Sequence, residues 1–243
     1  MSGCDTSIIP QGVKSIGNLA FQNSWIQSVN LPDSVTYLDP LAFENCENLL
    51  SLSVGSGLTF IDEGAFSLCG NLETISVSPD NTSFYAENNC LMQTNGKVLV
   101  RANRYGTIPQ DTGAIGSFAF SGCNALDDIT LPDSVQSIGE FAFEFCETLQ
   151  SVQLGNSVTG IGAAAFEYCM ALREITIPDS LKTIGNMAFA SCSQLRSIRL
   201  PALQSVGWSI FSGCESLQTL ILSAGSQNVS ADVFLYSHIQ TIW

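Results

Sequence analysis

An internal period of 23 residues limits what this chain can fold into more than any other feature. Phenylalanine stands at 21, 43, 66, 120, 143, 166, 189, 211 and 234. Cysteine follows three residues later at 46, 69, 123, 146, 169, 192 and 214, with Ser24 and Ser237 taking that place in the first and ninth repeats. A unit this short cannot bury its own apolar face, whereas stacked units cover one another. The period therefore predicts a solenoid whose stability is close to a sum of nearest-neighbour interfaces. Residues 1–243 form one array of about nine repeats.

Each repeat holds a segment of the form Leu-x-x-Ile-x-Leu, as from Leu126 to Leu131, followed by a turn such as Pro132-Asp133-Ser134. The alternation predicts a short strand, and stacking makes a parallel sheet of such strands. The Ala-Phe-x-x-Cys segment lacks period-two alternation and suits a helical or 3₁₀ turn that brings Ala, Phe and Cys inward. A Val-x-x-Ile piece supplies a second short strand. The expected fold class is an α/β-type repeat solenoid, a right-handed coil with a parallel β-sheet on one face and short strands and helical or 3₁₀ turns on the other.

The period breaks once, where Cys69 and Cys123 are 54 residues apart instead of 23. The extra residues lie at about 80–112. Within them Cys90–Thr94, Asn95-Gly96 and Lys97–Arg101 predict a β-hairpin with a type I′ turn, because Asn-Gly readily takes positive φ. A structural spacer is the favoured reading of this insertion, and Tyr85, Met92 and Arg101 are its candidate ligand contacts.

The template Ile-Gly-x-x-Ala-Phe-x-x-Cys-x-x-Leu-x-x-Ile-x-Leu-Pro-x-Ser-Val, seen from Ile138 to Leu154 and again from Ile161 to Pro178, resembles the BspA-type class of leucine-rich repeats over nearly the whole chain. The resemblance implies a bacterial surface or secreted protein that adheres or binds partners through its sheet, and it names no ligand.

Of the residues, 45% are hydrophobic and 12% charged, which suits a packed core. The formal charge of −14 and the lack of any basic stripe exclude nucleic acid as a partner. No run of about 18 apolar residues is present, so no transmembrane helix is expected. Met1–Pro10 lacks the basic start and apolar run of a signal peptide. Ile9–Ser15 matches the tail of a repeat, and the chain stops at Ile242-Trp243 inside the ninth strand. Neither end looks capped, which fits an excised piece or pairing through Trp243.

Seven cysteines in file suggest a metal or redox array. Zinc instead gathers ligands at one point, and neighbours stacked about 5 Å apart with parallel Cα–Cβ vectors do not suit a disulfide. Buried free thiols are expected, with Cys4 and Cys90 outside the file and either paired or free. His238 is the sole histidine and has no partner specified by a motif, so no catalytic residue is assigned. Glu44, Glu144 and Glu167, and Asp33, Asp133 and Asp179, recur in columns. Interruption by Ser67, Ser121 and Ala190 argues against the converging oxygens that calcium needs. No metal and no cofactor are assigned.

Strand alternation sends one set of side chains outward. This candidate ligand face reads Ser28, Asn30, Ser51, Ser53, Thr74, Ser76, Asp128, Thr130, Ser151, Gln153, Glu174, Thr176, Ser197, Arg199 and Thr219. It is mostly hydroxyl and amide and has no aromatic anchor. The expected function is non-enzymatic recognition or adhesion at a cell surface, toward a protein or glycan of a host or its extracellular matrix. The alternative is a spacer carrying other domains.

Overall fold

The computed structural model describes residues 6–105, 107–223, 233, 241 and 242. The repeat strands fall on two sides of the coil as a longer-strand and a shorter-strand parallel ladder, interrupted so that the pairing makes five sheets among the described residues. The longer ladder holds β1 (Thr6–Ile8), β3 (Ser28–Leu31), β5 (Ser51–Val54), β7 (Thr74–Val77), β12 (Asp128–Thr130), β14 (Ser151–Gln153), β16 (Glu174–Thr176), β18 (Ser197–Leu200), β20 (Thr219–Leu222) and β21 (Thr241–Ile242). The shorter ladder holds β2 (Ser15–Ile16), β4 (Tyr37–Leu38), β6 (Phe60–Ile61), β11 (Ala114–Ile115), β13 (Ser137–Ile138), β15 (Gly160–Ile161), β17 (Thr183–Ile184) and β19 (Ser205–Val206). The insertion contributes β8 (Phe84–Glu87), β9 (Cys90–Gln93) and β10 (Val98–Arg101). One coil comprises a short strand, a turn segment and a long strand, so coil 1 runs from β2 through β3 and coil 5 from β13 through β14. The solenoid has about nine turns.

The turn segment corrects the α/β expectation. Ala142, Phe143 and Cys146 do point inward and are fully buried. No α-helix occurs among the described residues, because each turn is broken by two left-handed residues four apart, such as Phe141 (φ 54°) and Phe145 (φ 55°). That conformation costs a non-glycine residue about 1–2 kcal/mol. It also turns the N–H groups along the solenoid axis: Phe141, Phe143 and Phe145 donate to the carbonyls of Ala163, Ala165 and Glu167 in the next coil, at 2.9, 2.7 and 2.9 Å. The turn is thus a third inter-coil ladder, and its hydrogen bonds offset the strain.

Inside it, Phe rings stack coil upon coil. Phe21, Phe43 and Phe66 form one stack with centroids 5.0 and 5.3 Å apart, and Phe120, Phe143, Phe166, Phe189 and Phe211 form another. Cysteine recurs because its thiol fits and donates. Cys169 Sγ donates to the Phe143 carbonyl of the previous coil at 3.1 Å, and Cys46, Cys69, Cys146, Cys192 and Cys214 repeat the bond. All six are free and buried, as are Cys90 and Cys123. Burial pushes the Cys90 thiol up to about 11 and the Cys214 thiol up to about 12. Cys4 lies outside the described residues.

Two separate cores follow from the insertion, which is a three-stranded antiparallel meander rather than a lone hairpin. The strand missed from sequence is β8, joined to β9 by Asn88-Asn89 with φ of 51° and 58°. Both central residues are left-handed, as a type I′ turn requires. The Asn95-Gly96 connection is instead a 3₁₀ turn, Asn95–Lys97, with only Gly96 and Lys97 at positive φ. Alternating meander residues face opposite cores. Phe84, Leu91 and Val100 pack on the core of coils 1–3, while Tyr85, Met92 and Leu99 pack on that of the later coils. The meander is a septum.

Arg101 fastens this septum to coil 4. In regular coils the Phe N–H and the second left-handed N–H reach the next coil, as Phe43 reaches Ala65 and Asn45 reaches Ser67. The matching acceptors of coil 4 are taken by the insertion. Ala102 N–H donates to the Ala119 carbonyl at 2.8 Å, and Arg101 Nη1 donates to the Ser121 and Phe118 carbonyls at 3.1 and 3.0 Å. Arg101 is 1% exposed and Met92 is fully buried, so neither can meet a ligand as sequence suggested. On the turn side coils 3 and 4 touch directly: a Cβ on Gly70 would lie 1.7 Å from the Gly122 carbonyl oxygen.

Candidate functional site

The outward columns stand where strand alternation put them. In coils 1–3, Ser28 pairs with Ser51 and Ser51 with Thr74, while Asn30, Ser53 and Ser76 form the parallel column. Val29, Leu52 and Ile75 between them are buried. In the later coils Asp128, Ser151 and Glu174 are in register, as are Thr130, Gln153 and Thr176. Ser197 then pairs with Thr219, and Arg199 with Ile221. The structure does not join these columns into one face. The β7 strand pairs with β5 alone and β12 with β14 alone, and the Leu72 carbonyl receives the Arg104 N–H of the insertion at 2.8 Å. The candidate face is divided at the insertion, and its later part consists of two sheets, β12–β14–β16 and β18–β20–β21.

The parts before and after the insertion differ in chemistry. On coils 1–3 every outward residue of β3, β5 and β7 is an uncharged hydroxyl or amide. Beside the Asn30 column lies a groove of about 520 Å³, bordered by Asn30, Ser53 and Ser76, by the half-buried Pro32 and Val77, and by Gln11 and Asp33. The Asp33 carboxylate accepts the Ser56 N–H at 2.7 Å, and this backbone bond holds its carboxyl below the usual carboxylate range. On the later coils the face carries Asp128, Glu174 and Arg199, and its groups bond to each other. Ser151 Oγ donates to Asp128 at 2.6 Å, and Arg199 Nη1 to Asp179 at 2.8 Å.

Half-buried and exposed apolar groups that the strand reading missed lie on other sides of the coil. Phe118 stacks on Phe141 and Phe145 on Tyr168, at 4.9 and 4.6 Å. Trp25 and Trp208 are exposed. The first four occupy left-handed positions of the turn, and their signal was the 23-residue recurrence of aromatics outside the core pattern.

The two acidic columns also resolve into local roles. Asp133, like Asp33, accepts a backbone N–H from the following coil, that of Asn156 at 2.8 Å. Glu44 accepts Gln22 Nε2 at 2.6 Å, and Ser121 Oγ lies 3.5 Å from Glu144. Among the described residues no group of three or more His, Cys, Asp or Glu side chains is placed to hold a metal ion. His238 and Trp243 lie outside the described residues, and no described helix is long and apolar enough to cross a membrane.

The geometry above is shared with known repeat proteins. A leucine-rich cell surface protein from Faecalibacterium prausnitzii is 27% identical over 98% of this chain, with a TM-score of 0.76. The pneumococcal vaccine antigen PcpA is 19% identical over 99% of the chain (TM-score 0.71), and a leucine-rich repeat protein from Eubacterium ventriosum is 19% identical over 98% (TM-score 0.63). These last two share the fold. The chain spans 59% of the Faecalibacterium protein, 62% of PcpA and 73% of the Eubacterium protein. No curated protein matches it. The model of the BspA type leucine rich repeat region matches residues 2–100 and 113–240, in six copies, and leaves out the part of the insertion that carries β10 into coil 4. With both ladders, the stacked Phe and Cys files and this match in place, the chain belongs to the BspA-type leucine-rich repeat family, a protein-interaction repeat.

Proposed function

We propose that the chain is a non-enzymatic recognition module carried at a cell surface, binding a protein or glycan of a host or its extracellular matrix through the outward columns of its longer ladder. The observation that carries this is a row of outward polar side chains over a fully packed floor, several of them without a partner in the protein. Asn30, Ser53 and Ser76 make no side-chain hydrogen bond among the described residues. Polar groups that neither build the fold nor bond to each other are free to bond to a ligand. The cell-surface placement draws on the Faecalibacterium protein, which is a surface protein. The proposed unit, residues 1–243 as one array with the insertion as an internal spacer, is the part that binds.

The test is binding of the fully reduced protein to an array of matrix proteins and glycans across salt concentrations. Saturable binding that falls when Ser151, Gln153, Glu174 and Arg199 are replaced by alanine, or when the Asn30 column is replaced, supports the reading. No saturable binding to either class favours the spacer.

A further inference from the structure

The proposal above leaves the ligand's chemistry open, and the groove on coils 1–3 narrows it. Resting on that reading, we infer that this groove is a binding site for a neutral saccharide, which lies against the half-buried Pro32 and Val77 and bonds its hydroxyls to Asn30, Ser53, Ser76 and Asp33. Four observations lead there.

The volume of about 520 Å³ lies within the range of small-molecule sites, which is about 300–1,000 Å³. The polar groups are bifunctional: a serine hydroxyl and an asparagine amide each donate and accept, as a sugar hydroxyl does. Asp33, exposed at the rim and holding the Ser56 N–H, supplies the one carboxylate of the groove. No Lys, Arg or His lines the groove. A sialylated, sulfated or phosphorylated ligand therefore finds no cation there and meets a chain of net charge −14.

An extended peptide is the other occupant to weigh. Peptides bind sheets by adding a strand to a free edge, but β3 and β5 are paired on both sides, and β7, paired with β5 alone, has the insertion strands β8 and β9 packed against it. Their backbone is spent, and only side chains remain for recognition. A site of side-chain hydroxyls and amides suits a rigid, hydroxyl-rich ligand. In the later coils the matching column of Thr130, Gln153 and Thr176 is uncharged too, but it runs on to Arg199 and lies beside Asp128 and Glu174, which place charge there.

The experiment titrates the whole reduced chain with neutral oligosaccharides of hexose and N-acetylhexosamine units, and with sialylated and sulfated counterparts, by calorimetry and saturation-transfer NMR. A neutral oligosaccharide is expected to bind saturably. Asn30→Ala with Ser53→Ala is expected to weaken it at least tenfold, while Glu140→Ala with Glu147→Ala, exposed residues of coil 5 off the sheet face, leaves it unchanged. Circular dichroism and the melting temperature confirm that the variants fold, and Ser53→Thr, which keeps the hydroxyl, retains more binding than Ser53→Ala. Preference for the charged sugars, or loss of binding on the later-coil substitutions alone, overturns the inference. Binding to a matrix protein with silence toward every saccharide overturns it too, yet leaves the recognition reading standing. Silence toward both classes removes both.

Discussion

Coils 1–3 and coils 4–9 are written from one template and end in different chemistry. In the first block the outward columns are uncharged and several groups have no partner, and the groove beside them is open. In the second, the column equivalent to Ser28, Ser51 and Thr74 carries charge at Asp128 and Glu174 and an internal bond at Ser151, and Arg199 adds a cation. Between them the meander closes one core and opens the next. A repeat array normally couples each unit to its neighbour through identical interfaces. Here one interface has been replaced, so stability and surface chemistry are free to differ on its two sides.

The largest expected effect is at the fastening of the septum. Arg101→Ala removes the donor to two buried carbonyls and leaves a void, and together these are expected to cost about 3–5 kcal/mol. Arg101→Met retains most of the volume and separates the void from the lost bonds. The measurement is pulsed alkylation of cysteines across a urea series, read by mass spectrometry. In the parent chain the shorter first block has fewer interfaces, so Cys46 and Cys69 are expected to become reactive at lower urea than Cys146, Cys169 and Cys192. Arg101→Ala widens that separation. One shared transition for all five thiols would show that the septum couples the blocks instead of dividing them.

Gly70 tests the same junction from the other side. Its template position holds Glu47, Asn124, Glu147 and Met170 in other coils, yet at Gly70 a Cβ would overlap the Gly122 carbonyl. Gly70→Ala must force coils 3 and 4 apart and is expected to cost about 3 kcal/mol. Glu147→Ala, at the same position within the second block, is expected to stay within about 0.5 kcal/mol, as surface changes do. Equal melting temperatures for the two variants would mean that the coils are not pressed together at Gly70.

What could be seen in advance depended on whether a residue's type announces its role. The outward columns were legible because a strand's period of two needs only a polar and apolar alternation, and Ser51, Leu52 and Ser53 supply it. The left-handed turn positions were not. Leu41, Phe141, Ala164, Met187 and Tyr168 occupy them in place of glycine or asparagine, because inter-coil hydrogen bonds stabilise the conformation that their side chains disfavour. The septum left a trace that went unread: Cys90-Leu91-Met92 and Val98-Leu99-Val100 are continuous apolar runs, the mark of strands buried on both faces. Arg101 follows directly, and its residue type points to an accessible ligand contact, since arginine is almost never fully buried unless paired. Its partners are backbone carbonyls, which no side-chain pattern displays.

The smallest effect compares one template position across the two blocks. In coil 2 the Glu44 carboxylate accepts a bond from Gln22. In coil 5 Glu144 is half-buried, and burial, with Glu167 beside it in the next coil and Glu44 adding repulsion, pushes its carboxyl up to about 7 against a bond from Ser121. A folded pKa above the unfolded value means that the folded state holds the proton more tightly. The contribution is fully present below about pH 4.5, the ordinary value, and is lost as pH rises through about 7. Glu144→Gln, fixed in a neutral form, is therefore expected to melt higher than the parent at pH 8 and at nearly the same temperature at pH 4.5. Solvent around the half-exposed group screens the repulsion and keeps the gain below about 1 kcal/mol. Glu44→Gln, which gives up an acceptor for Gln22, is expected to show no such gain. Melting temperatures from pH 4.5 to 8.5 decide it: an unchanged pH slope in Glu144→Gln would assign the slope to other carboxylates, and a gain in both variants would mean that the two blocks present this position alike.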